Sequence, residues 1–262
     1  MTNEQDGMQL IYEIFDASLP RLGPGDDAST EKALGIALAA LAQGEDFSSV
    51  GLRILDVGCG NGAQTIGLAK RVDGTILAVD NHPPYLDELR RRAEAEGVAG
   101  KIELRLRDMN DMGLEEGSFD LVWSEGALYS MGFPDGLAAC RRLLRPRGVL
   151  AASEISWLRP NPPEECRQYF ASEYPAMLDV AGNLAAIESC EYDVLEHFLL
   201  PESAWWDAYY RPLEGRLQTL REKCADDPAK LDAIETCRLE IDVYKKYSGC
   251  YGYVFYLMQR RA

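Results

Sequence analysis

The chain has 262 residues, of which 27 are basic and 43 acidic, so its formal net charge is −16 at neutral pH. With 47% hydrophobic and 27% charged residues it has the composition of a globular protein, which excludes a disordered or collagen-like chain. The length is sufficient to bury a core within one domain. Because the acidic excess repels nucleic-acid backbones and anionic membranes, we expect neither as a partner.

The sequence also predicts where the protein works. No apolar run approaches the roughly 20 residues that a membrane-spanning helix needs. The first six residues are polar and acidic, which is not the pattern of a secretory signal. The seven cysteines contain no CxxC pair, and only two histidines, His82 and His197, occur. These features predict a reducing, cytoplasmic location without a disulfide framework or a metal site.

The predicted elements begin with two helices and continue as alternating strands and helices. The first 50 residues have a helical pattern, with an apolar stripe that ends at Pro20 and a second apolar helix over Leu34–Leu41. From residue 53 onward, short apolar runs alternate with amphipathic stretches. This alternation predicts right-handed βαβ crossovers and a parallel sheet with helices on both faces. The predicted strands are Arg53–Val57, Thr75–Val79, Ile102–Leu106, Phe119–Trp123 and Val149–Ile155, and the helices between them are Gln64–Arg71, Tyr85–Glu96 and Asp135–Leu144.

The carboxyl-terminal part departs from simple alternation. A helix over Gly182–Glu191 leads into a sixth strand, Val194–Leu200, and the last strand, Tyr251–Met258, is apolar on both faces. Two further stretches, Ser156–Ala181 and Pro201–Gly249, have a helical pattern, and nothing in the composition indicates a linker. We therefore predict one domain, 1–262, made of amino-terminal helices (1–50), a cofactor-binding core (51–156), helical insertions (157–181 and 201–249) and the last strand (250–262).

A glycine-rich segment, Asp56-Val57-Gly58-Cys59-Gly60-Asn61-Gly62, lies where the first of the alternating strands ends and a helix begins. Glycines at such a junction let the backbone turn sharply and approach a ligand, and the helix N-terminus presents free N–H groups. Gly58, Gly60 and Ala63 also satisfy the G-x-G-x-x-A form of a dinucleotide fingerprint. The motif alone therefore leaves a nicotinamide-dependent oxidoreductase open.

Three carboxylates favour a different ligand. Asp56 precedes the first glycine, where it would repel a pyrophosphate and attract a cationic amino-acid group. Asp80 ends the second strand and can accept hydrogen bonds from both hydroxyls of a ribose. Asp108, followed by Met109, comes after the third strand and can accept from an adenine amino group. Together these positions favour a ligand with a cationic amino-acid group, a ribose and an adenine over a dinucleotide.

With these residues, the segment from about Ile54 to Leu150 resembles the class I S-adenosylmethionine-dependent methyltransferases, and within them the ubiquinone/menaquinone-biosynthesis-type superfamily. Trp123–Tyr129 and Tyr251–Tyr256 resemble a small-molecule branch of that superfamily, and the turn Arg145–Gly148 matches the family's usual turn before the fifth strand. The resemblance implies a Rossmann-like, seven-stranded, mostly parallel sheet with an antiparallel last strand. It also implies a small-molecule methyltransferase that uses S-adenosyl-L-methionine and releases S-adenosyl-L-homocysteine.

The resemblance assigns a role to each motif residue. Gly58 and Gly60 would back the methionine part of the cofactor, and Ser124 would lie against the same end. Asp80 would hold the ribose, Asn81 would border the adenine, and Asp108 with Met109 would bind the adenine edge. The long helical stretch before the last strand departs from the tight hairpin of simpler family members. The predicted cofactor-binding set is Asp56, Gly58, Gly60, Asp80, Asn81, Asp108, Met109 and Ser124.

Two residues are candidates for catalysis. Glu125 follows the fourth strand, at the sheet edge where α/β proteins bind ligands, and a helix-start carboxylate is the alternative interpretation. His82 follows the ribose-binding position, and a surface or satisfied core histidine is its alternative. The helical insertions are predicted to form a lid, in which the aromatic residues of Trp205–Tyr210 either face the substrate or pack internally. A non-catalytic cofactor-binding or interaction protein remains a third hypothesis beside the methyltransferase and the oxidoreductase.

Overall fold

The computed structural model describes residues 3–43 and 50–262 of the chain. Residues 1–2 and 44–49, which belong to the predicted amino-terminal helical region, lie outside the described residues. Helix α1 spans Asn3–Ile14 and α2 spans Asp27–Leu41. Helix α2 begins earlier than the predicted Leu34, because the Asp26 carboxylate caps it by accepting a 2.8 Å hydrogen bond from the Ser29 N–H.

Seven strands form one sheet. They are β1 (Val50–Val57), β2 (Asp73–Asp80), β3 (Ile102–Leu106), β4 (Phe119–Glu125), β5 (Leu144–Trp157), β6 (Tyr192–Leu199) and β7 (Tyr251–Arg260). Their order across the sheet is β3-β2-β1-β4-β5-β7-β6. All neighbours pair in parallel except β7, which is antiparallel to both β5 and β6. The predicted mostly parallel sheet with an antiparallel last strand is confirmed.

Helices cover both faces of the sheet, as predicted. Side chains alternate along β1, so that Ile54 faces one hydrophobic cluster and Leu55 faces the other. Helices α2, α3 and α4 contribute to the first cluster, and α5 and α7 contribute to the second. Among the described helices, none combines the length and apolarity needed to cross a bilayer. The remaining helices are α3 (Ala63–Arg71), α4 (Pro83–Ala95), α5 (Phe133–Leu143), α6 (Glu164–Glu173), α7 (Val180–Ser189), α8 (Glu202–Trp205), α9 (Arg211–Lys223) and α10 (Pro228–Tyr247).

A third hydrophobic cluster joins α1, α6, α8, α9 and α10. It includes Tyr251, the first residue of β7, which pairs with Trp157 at the end of β5. Because β7 runs antiparallel, its beginning lies at the edge where the parallel strands end. The helical layer of α8 to α10 therefore packs at the carboxyl edge of the sheet, where α/β proteins bind ligands.

The two predicted helical insertions agree with the structure to different degrees. The predicted helical stretch Ser156–Ala181 is only partly helical, because its first two residues extend β5, which keeps a partner in β7 as far as the Trp157–Tyr251 pair. The stretch Pro201–Gly249 is helical as predicted, and a wide π-helical turn over Trp206–Tyr210 joins α8 to α9.

Candidate functional site

The glycine turn after β1 lies against the segment that follows β4. Gly58 and Gly60 have φ angles of 68° and 52°, in the left-handed region that favours glycine. The Gly58 N–H donates to the Val79 carbonyl at 2.9 Å, which ties the turn to β2. A Cβ atom on Gly58 would lie 2.5 Å from the Cβ of Ala127, so a side chain here would push the two segments apart.

Asp56 lies beneath this turn and is fully buried. Its carboxylate accepts hydrogen bonds from the Thr65 hydroxyl at 2.6 Å and from the Gln64 amide at 3.3 Å, both in the first turn of α3. Burial raises the pKa of Asp56 to about 7, although these hydrogen bonds lower it. The structure therefore places Asp56 as an internal brace between β1 and α3, and its predicted contact with the cofactor stays a prediction.

Asp80 lies beside the glycine turn at the end of β2. Its Oδ2 atom accepts a 2.9 Å hydrogen bond from the Gly60 N–H, and its Oδ1 atom accepts one of 2.9 Å from the His82 N–H. Burial raises the pKa of Asp80, against the effect of these hydrogen bonds. Each carboxylate oxygen has a second acceptor position, so the half-buried side chain can still accept from a ligand. The next residue, Asn81, is exposed.

His82 takes part in an aromatic stack between α1 and α4. Its ring lies 3.5 Å from that of Tyr12, centroid to centroid and nearly parallel, and meets the edge of the Tyr85 ring at 4.5 Å. Burial lowers the pKa of His82, and the nearby Asp80 carboxylate opposes that shift. The structure brings His82 to the Asp80 side of the site, and its role as a base stays a prediction.

The end of β3 presents one exposed acid and one partly buried methionine. Asp108 is exposed, and hydrogen bonds from the Asn110 N–H and side-chain amide, each 2.8 Å, lower its pKa. The methyl group of Met109 lies 3.3 Å from the position of a Cβ on Gly58. The Ser130 hydroxyl donates to the Met109 sulfur at 3.1 Å. Met109 therefore borders the glycine turn.

The end of β4 is held by two sets of hydrogen bonds. Ser124 is fully buried and donates to the Val57 carbonyl at 3.0 Å, which fastens β4 to β1. Glu125 accepts from the Arg21 guanidinium at 3.1 Å through Oε2. Its Oε1 atom accepts from the Thr30 hydroxyl at 2.8 Å and from the Trp123 indole at 2.9 Å. Neither Arg21 nor Thr30 was predicted as a site residue, because both lie outside any motif.

The segment between α1 and α2 lies against the glycine turn and is held there by hydrogen bonds. The buried side-chain amide of Asn61 donates to the Leu19 carbonyl at 2.6 Å, and the Tyr85 hydroxyl donates to the Phe15 carbonyl at 2.7 Å. A Leu22 methyl group lies 3.0 Å from the position of a Cβ on Gly60. The amino-terminal segment thus forms one wall of the candidate site.

A further acid, Glu154 in β5, is almost completely buried at 1% exposure. No close, well-aligned hydrogen bond reaches its carboxylate oxygens from the described residues, but the Tyr174 hydroxyl lies near enough to act as a donor and lowers the pKa of this carboxyl group. Burial raises the pKa of Glu154 to about 8. An acidic residue inside the apolar run Val149–Ile155 was the signal in the sequence that could have identified it.

The carboxyl edge of β1, β2 and β4 is acidic. Burial is the largest cause of the raised pKa of Asp56, and the nearby Glu125 and Asp80 carboxylates raise it further. Arg21 is the cation that the structure pairs directly with one of these acids, at Glu125. A phosphate group would meet repulsion from the other two, whereas a cationic ligand would be attracted.

Comparisons with known proteins agree on one family. A family model described as a methyltransferase domain matches residues 54–148. The 27-O-demethylrifamycin SV methyltransferase of Amycolatopsis mediterranei is 31% identical over 202 residues, which are 73% of this chain and 69% of that protein. An uncharacterised methyltransferase of Bacillus subtilis is 27% identical over 208 residues, covering 75% of this chain and 80% of that one.

Structural similarity extends over nearly the whole chain. A crystal structure of an S-adenosylmethionine-dependent methyltransferase from Geobacter sulfurreducens, in complex with S-adenosylhomocysteine, matches with a TM-score of 0.78 at 22% identity. The match covers 96% of this chain and 98% of that one, so the two share a fold. Several other curated relatives are longer, and the chain spans only 39% to 46% of their length.

Proposed function

The chain belongs to the S-adenosylmethionine-dependent methyltransferases, and on this premise we propose that it transfers a methyl group from S-adenosylmethionine to a small molecule in the cytoplasm. The observation that carries the proposal is the hydrogen bond from the Gly60 N–H to Asp80. It joins the glycine turn to an acidic acceptor at the edge of the sheet. The narrower resemblance to the ubiquinone/menaquinone-biosynthesis type stays a prediction.

The residues at this edge suit the chemical groups of the cofactor. Asp80 would accept from the ribose hydroxyls and Asp108 from the adenine amino group, with Asn81 and Met109 beside the base. Gly58, Gly60 and Ser124 would border the methionine end, and Asp56 would hold the turn from below. When bound, the cofactor supplies a methyl group on a sulfonium sulfur that leaves as a neutral thioether.

The negative charge at this edge of the sheet distinguishes the proposed methyltransferase from a nicotinamide-dependent oxidoreductase. A dinucleotide would bring its pyrophosphate to a helix N-terminus that is flanked by Asp56 and Asp80, the two acids that Arg21 does not pair with. The same two carboxylates would stabilise a sulfonium and an ammonium group. The acidic edge therefore supports the methyl donor over the dinucleotide.

The helical layer at the carboxyl edge would exclude water from the acceptor. Methyl transfer needs alignment of the acceptor with the methyl group, and a closed site supplies both alignment and desolvation. Trp205, Tyr209 and Tyr210 are buried in the third cluster, and Trp205 stacks on Tyr244 at 4.1 Å. We propose that α8 to α10 cover the acceptor as a lid whose inner aromatic residues are mainly packing.

Calorimetric titration tests the proposal directly. We expect S-adenosylhomocysteine to bind saturably, and NADH to bind far more weakly. Transfer of a labelled methyl group from S-adenosylmethionine to a panel of small amines, phenols and thiols should then identify the acceptor class. Tighter binding of NADH would support the oxidoreductase. Cofactor binding without transfer to any member of the panel would support a non-catalytic protein.

A further inference from the structure

The segment between α1 and α2 crosses the carboxyl edge of the sheet. Residues 15–26, which we call the strap, contain no helix or strand. Just before the strap, a tyrosine ring of α1 stacks on His82, next to the end of β2. Further along, Leu22 contacts the glycine turn after β1, and Arg21 bonds to Glu125 at the end of β4. The strap therefore passes the ends of three strands that carry the proposed methyl-donor site.

Two backbone carbonyls of the strap each accept hydrogen bonds from two side chains. The Leu19 carbonyl accepts from the Asn61 amide at 2.6 Å and from the Arg92 guanidinium at 2.7 Å. The Ala17 carbonyl accepts from the same two side chains, at 3.1 Å and 3.3 Å. Arg92 also donates to the Pro20 carbonyl at 3.1 Å. The glycine turn and α4 thus hold the strap together.

The fold fixes the position of both donors. Asn61 lies between Gly60 and Gly62 in the glycine turn and is 2% exposed. The guanidinium of Arg92 is oriented by Glu88, one turn earlier on α4, which accepts from its Nε atom at 2.7 Å. Because the acceptors on the strap are main-chain carbonyls, the two donors hold the path of its backbone and not one of its side chains.

The strap is also bonded to the proposed lid, α8 to α10. The Gly25 N–H donates to the Ala204 carbonyl on α8 at 3.1 Å. Arg216 on α9 donates to the carbonyl of Ile14, the residue directly before the strap, at 2.9 Å. The strap therefore connects the glycine turn to the lid, and we expect the two to move together.

We propose that Asn61 and Arg92 are positioning residues that hold the strap closed over the methyl-donor site, so that the strap gates the entry and release of the cofactor. The inference rests on the proposed function and goes beyond it to the control of cofactor exchange. The cofactor would lie along the ends of β2, β1 and β4, and the strap crosses the same three ends. Exchange then requires the hydrogen bonds at Leu19 and Ala17 to break.

The two donors should contribute unequally to closure. Asn61 is a neutral donor, whereas the bonds from Arg92 are charge-assisted and therefore stronger. Asn61 has a second role through its place in the sequence, because it follows Gly60, which would border the methionine end of the cofactor. A ligand seated on the glycine turn would fix the residue that holds the strap. Closure should therefore be more stable when the site is filled.

Rate constants for S-adenosylhomocysteine test the gate, because a gate slows binding and release alike. Surface plasmon resonance on the intact chain measures both constants. We expect Arg92→Met to raise each of them about tenfold, so that the Kd changes little. Asn61→Leu, which keeps the size of the side chain and removes its donors, should raise both about threefold. If either variant raises only the release rate constant, its residue stabilises the bound state without gating it, and the proposal is overturned.

Arg91→Met is the matched control. Arg91 lies on the same helix and pairs with the same Glu88 at 2.7 Å, but its side chain is 68% exposed and makes no bond to the described residues of the strap. The substitution removes one positive charge, as Arg92→Met does, so both rate constants should stay within about twofold of wild type. Equal effects of Arg91→Met and Arg92→Met would overturn the proposal, because the charge alone would then explain them.

Tryptic cleavage after Arg21 reports the opening of the strap in the wild-type protein. The Arg21 side chain is 8% exposed, so trypsin reaches the Arg21–Leu22 bond only when the strap opens. We expect saturating S-adenosylhomocysteine to slow this cleavage at least about tenfold. Cleavage after Arg141 on α5 requires the core to unfold and should be much slower. An unchanged rate with ligand, or equal rates after Arg21 and Arg141, would overturn the proposal.

The two proposals fail separately. If S-adenosylhomocysteine does not bind the wild-type protein, the proposed function itself fails, and faster cleavage after Arg21 in Arg92→Met than in Arg91→Met still tests the strap. If the ligand binds but Arg92→Met leaves its association rate constant unchanged, only the gate fails. Should Arg92→Met not fold, Asn61→Leu and the tryptic assay on wild type decide the matter.

Discussion

The guanidinium of Arg21 lies 3.1 Å from the carboxylate of Glu125, 104 residues further along the chain. Both side chains are almost fully buried, at 8% and 6% exposure. Thr30 and Trp123 donate to the other carboxylate oxygen, so both oxygens of Glu125 have protein partners. The pair therefore fastens the amino-terminal segment to the end of β4, at the edge of the proposed site.

Removal of Arg21 should leave a buried charge without its partner. We expect Arg21→Met to lower the free energy of unfolding by about 3–5 kcal/mol, and the double variant with Glu125→Gln to recover part of that loss. Urea denaturation measures both. Arg71→Met is the matched control, because Arg71 pairs with Glu31 at an exposed site, and it should cost at most about 1 kcal/mol. Equal losses for Arg21 and Arg71 would contradict the anchoring role.

Glu125→Gln separates an anchor from a catalytic base. Because both oxygens of Glu125 already accept hydrogen bonds from the protein, we expect the turnover with an active acceptor to fall by less than about tenfold. A base would lose about 10²–10⁴-fold with the same isosteric change. Methyl-transfer rates are compared after both proteins are shown to bind S-adenosylhomocysteine equally well. A loss beyond about 100-fold would assign Glu125 to proton transfer instead.

Asp80→Asn tests the proposed ribose site. Asparagine keeps the size of the side chain but loses the charge that strengthens bonds from hydroxyl donors. We expect the affinity for S-adenosylhomocysteine to fall by about 1.5–3 kcal/mol, which is roughly 10- to 150-fold. Asp73→Asn, an exposed position at the other end of β2, is the control and should leave the calorimetric affinity unchanged. Indistinguishable affinities for the two variants would remove Asp80 from the site.

The proposed lid, α8 to α10, should become less dynamic when cofactor and acceptor are both bound. Hydrogen exchange in residues 201–210 should slow once S-adenosylhomocysteine and an active acceptor are both bound, because closure of a lid protects its backbone amides. Exchange in α7, which packs against the opposite face of the sheet from α2 to α4, is the internal control and should not change. Equal protection of residues 201–210 in the free and bound protein would leave them as packing alone.

The sequence was sufficient to predict the sheet and one neighbouring pair in the site. Alternating apolar runs predicted the parallel strands, because a strand buried on both faces has no polar alternation. The carboxyl ends of adjacent parallel strands meet at one edge, which places the glycine turn after the first of these strands beside Asp80 at the end of the second, and a 2.9 Å hydrogen bond joins Gly60 to Asp80.

Features that depend on tertiary packing were beyond sequence analysis. Arg21 belongs to no recognisable sequence motif, and only folding of the chain brings it next to Glu125. Thr65 and Gln64 of α3 donate hydrogen bonds to Asp56, and no local sequence pattern indicates this. The sequence shows an acid within the apolar β5 run, but only the structure shows that Glu154 is almost completely buried.

The burial of Glu154 also predicts how stability depends on pH. Burial raises the pKa of Glu154 from its ordinary 4.5 to about 8. Between about pH 4.5 and 8, the folded protein therefore holds a proton that the unfolded chain has lost. Because the folded state binds more protons in this range, stability falls as the pH rises, by at most about 1.4 kcal/mol per pH unit from this group. Burial raises the pKa of Asp56 to about 7, so below pH 7 this group also makes the folded protein less stable as the pH rises.

Glu154→Gln should remove the Glu154 part of this dependence. We expect the variant to become increasingly more stable than wild type between pH 5 and pH 8, because glutamine never ionises, while the remaining slope from Asp56 stays in both proteins. Urea denaturation at pH 5, 6.5 and 8 gives the difference in unfolding free energy at each pH. The exposed substitution Glu94→Gln should shift stability by a small amount that does not depend on pH. If Glu154→Gln and wild type instead have parallel stability profiles, Glu154 does not titrate in this range.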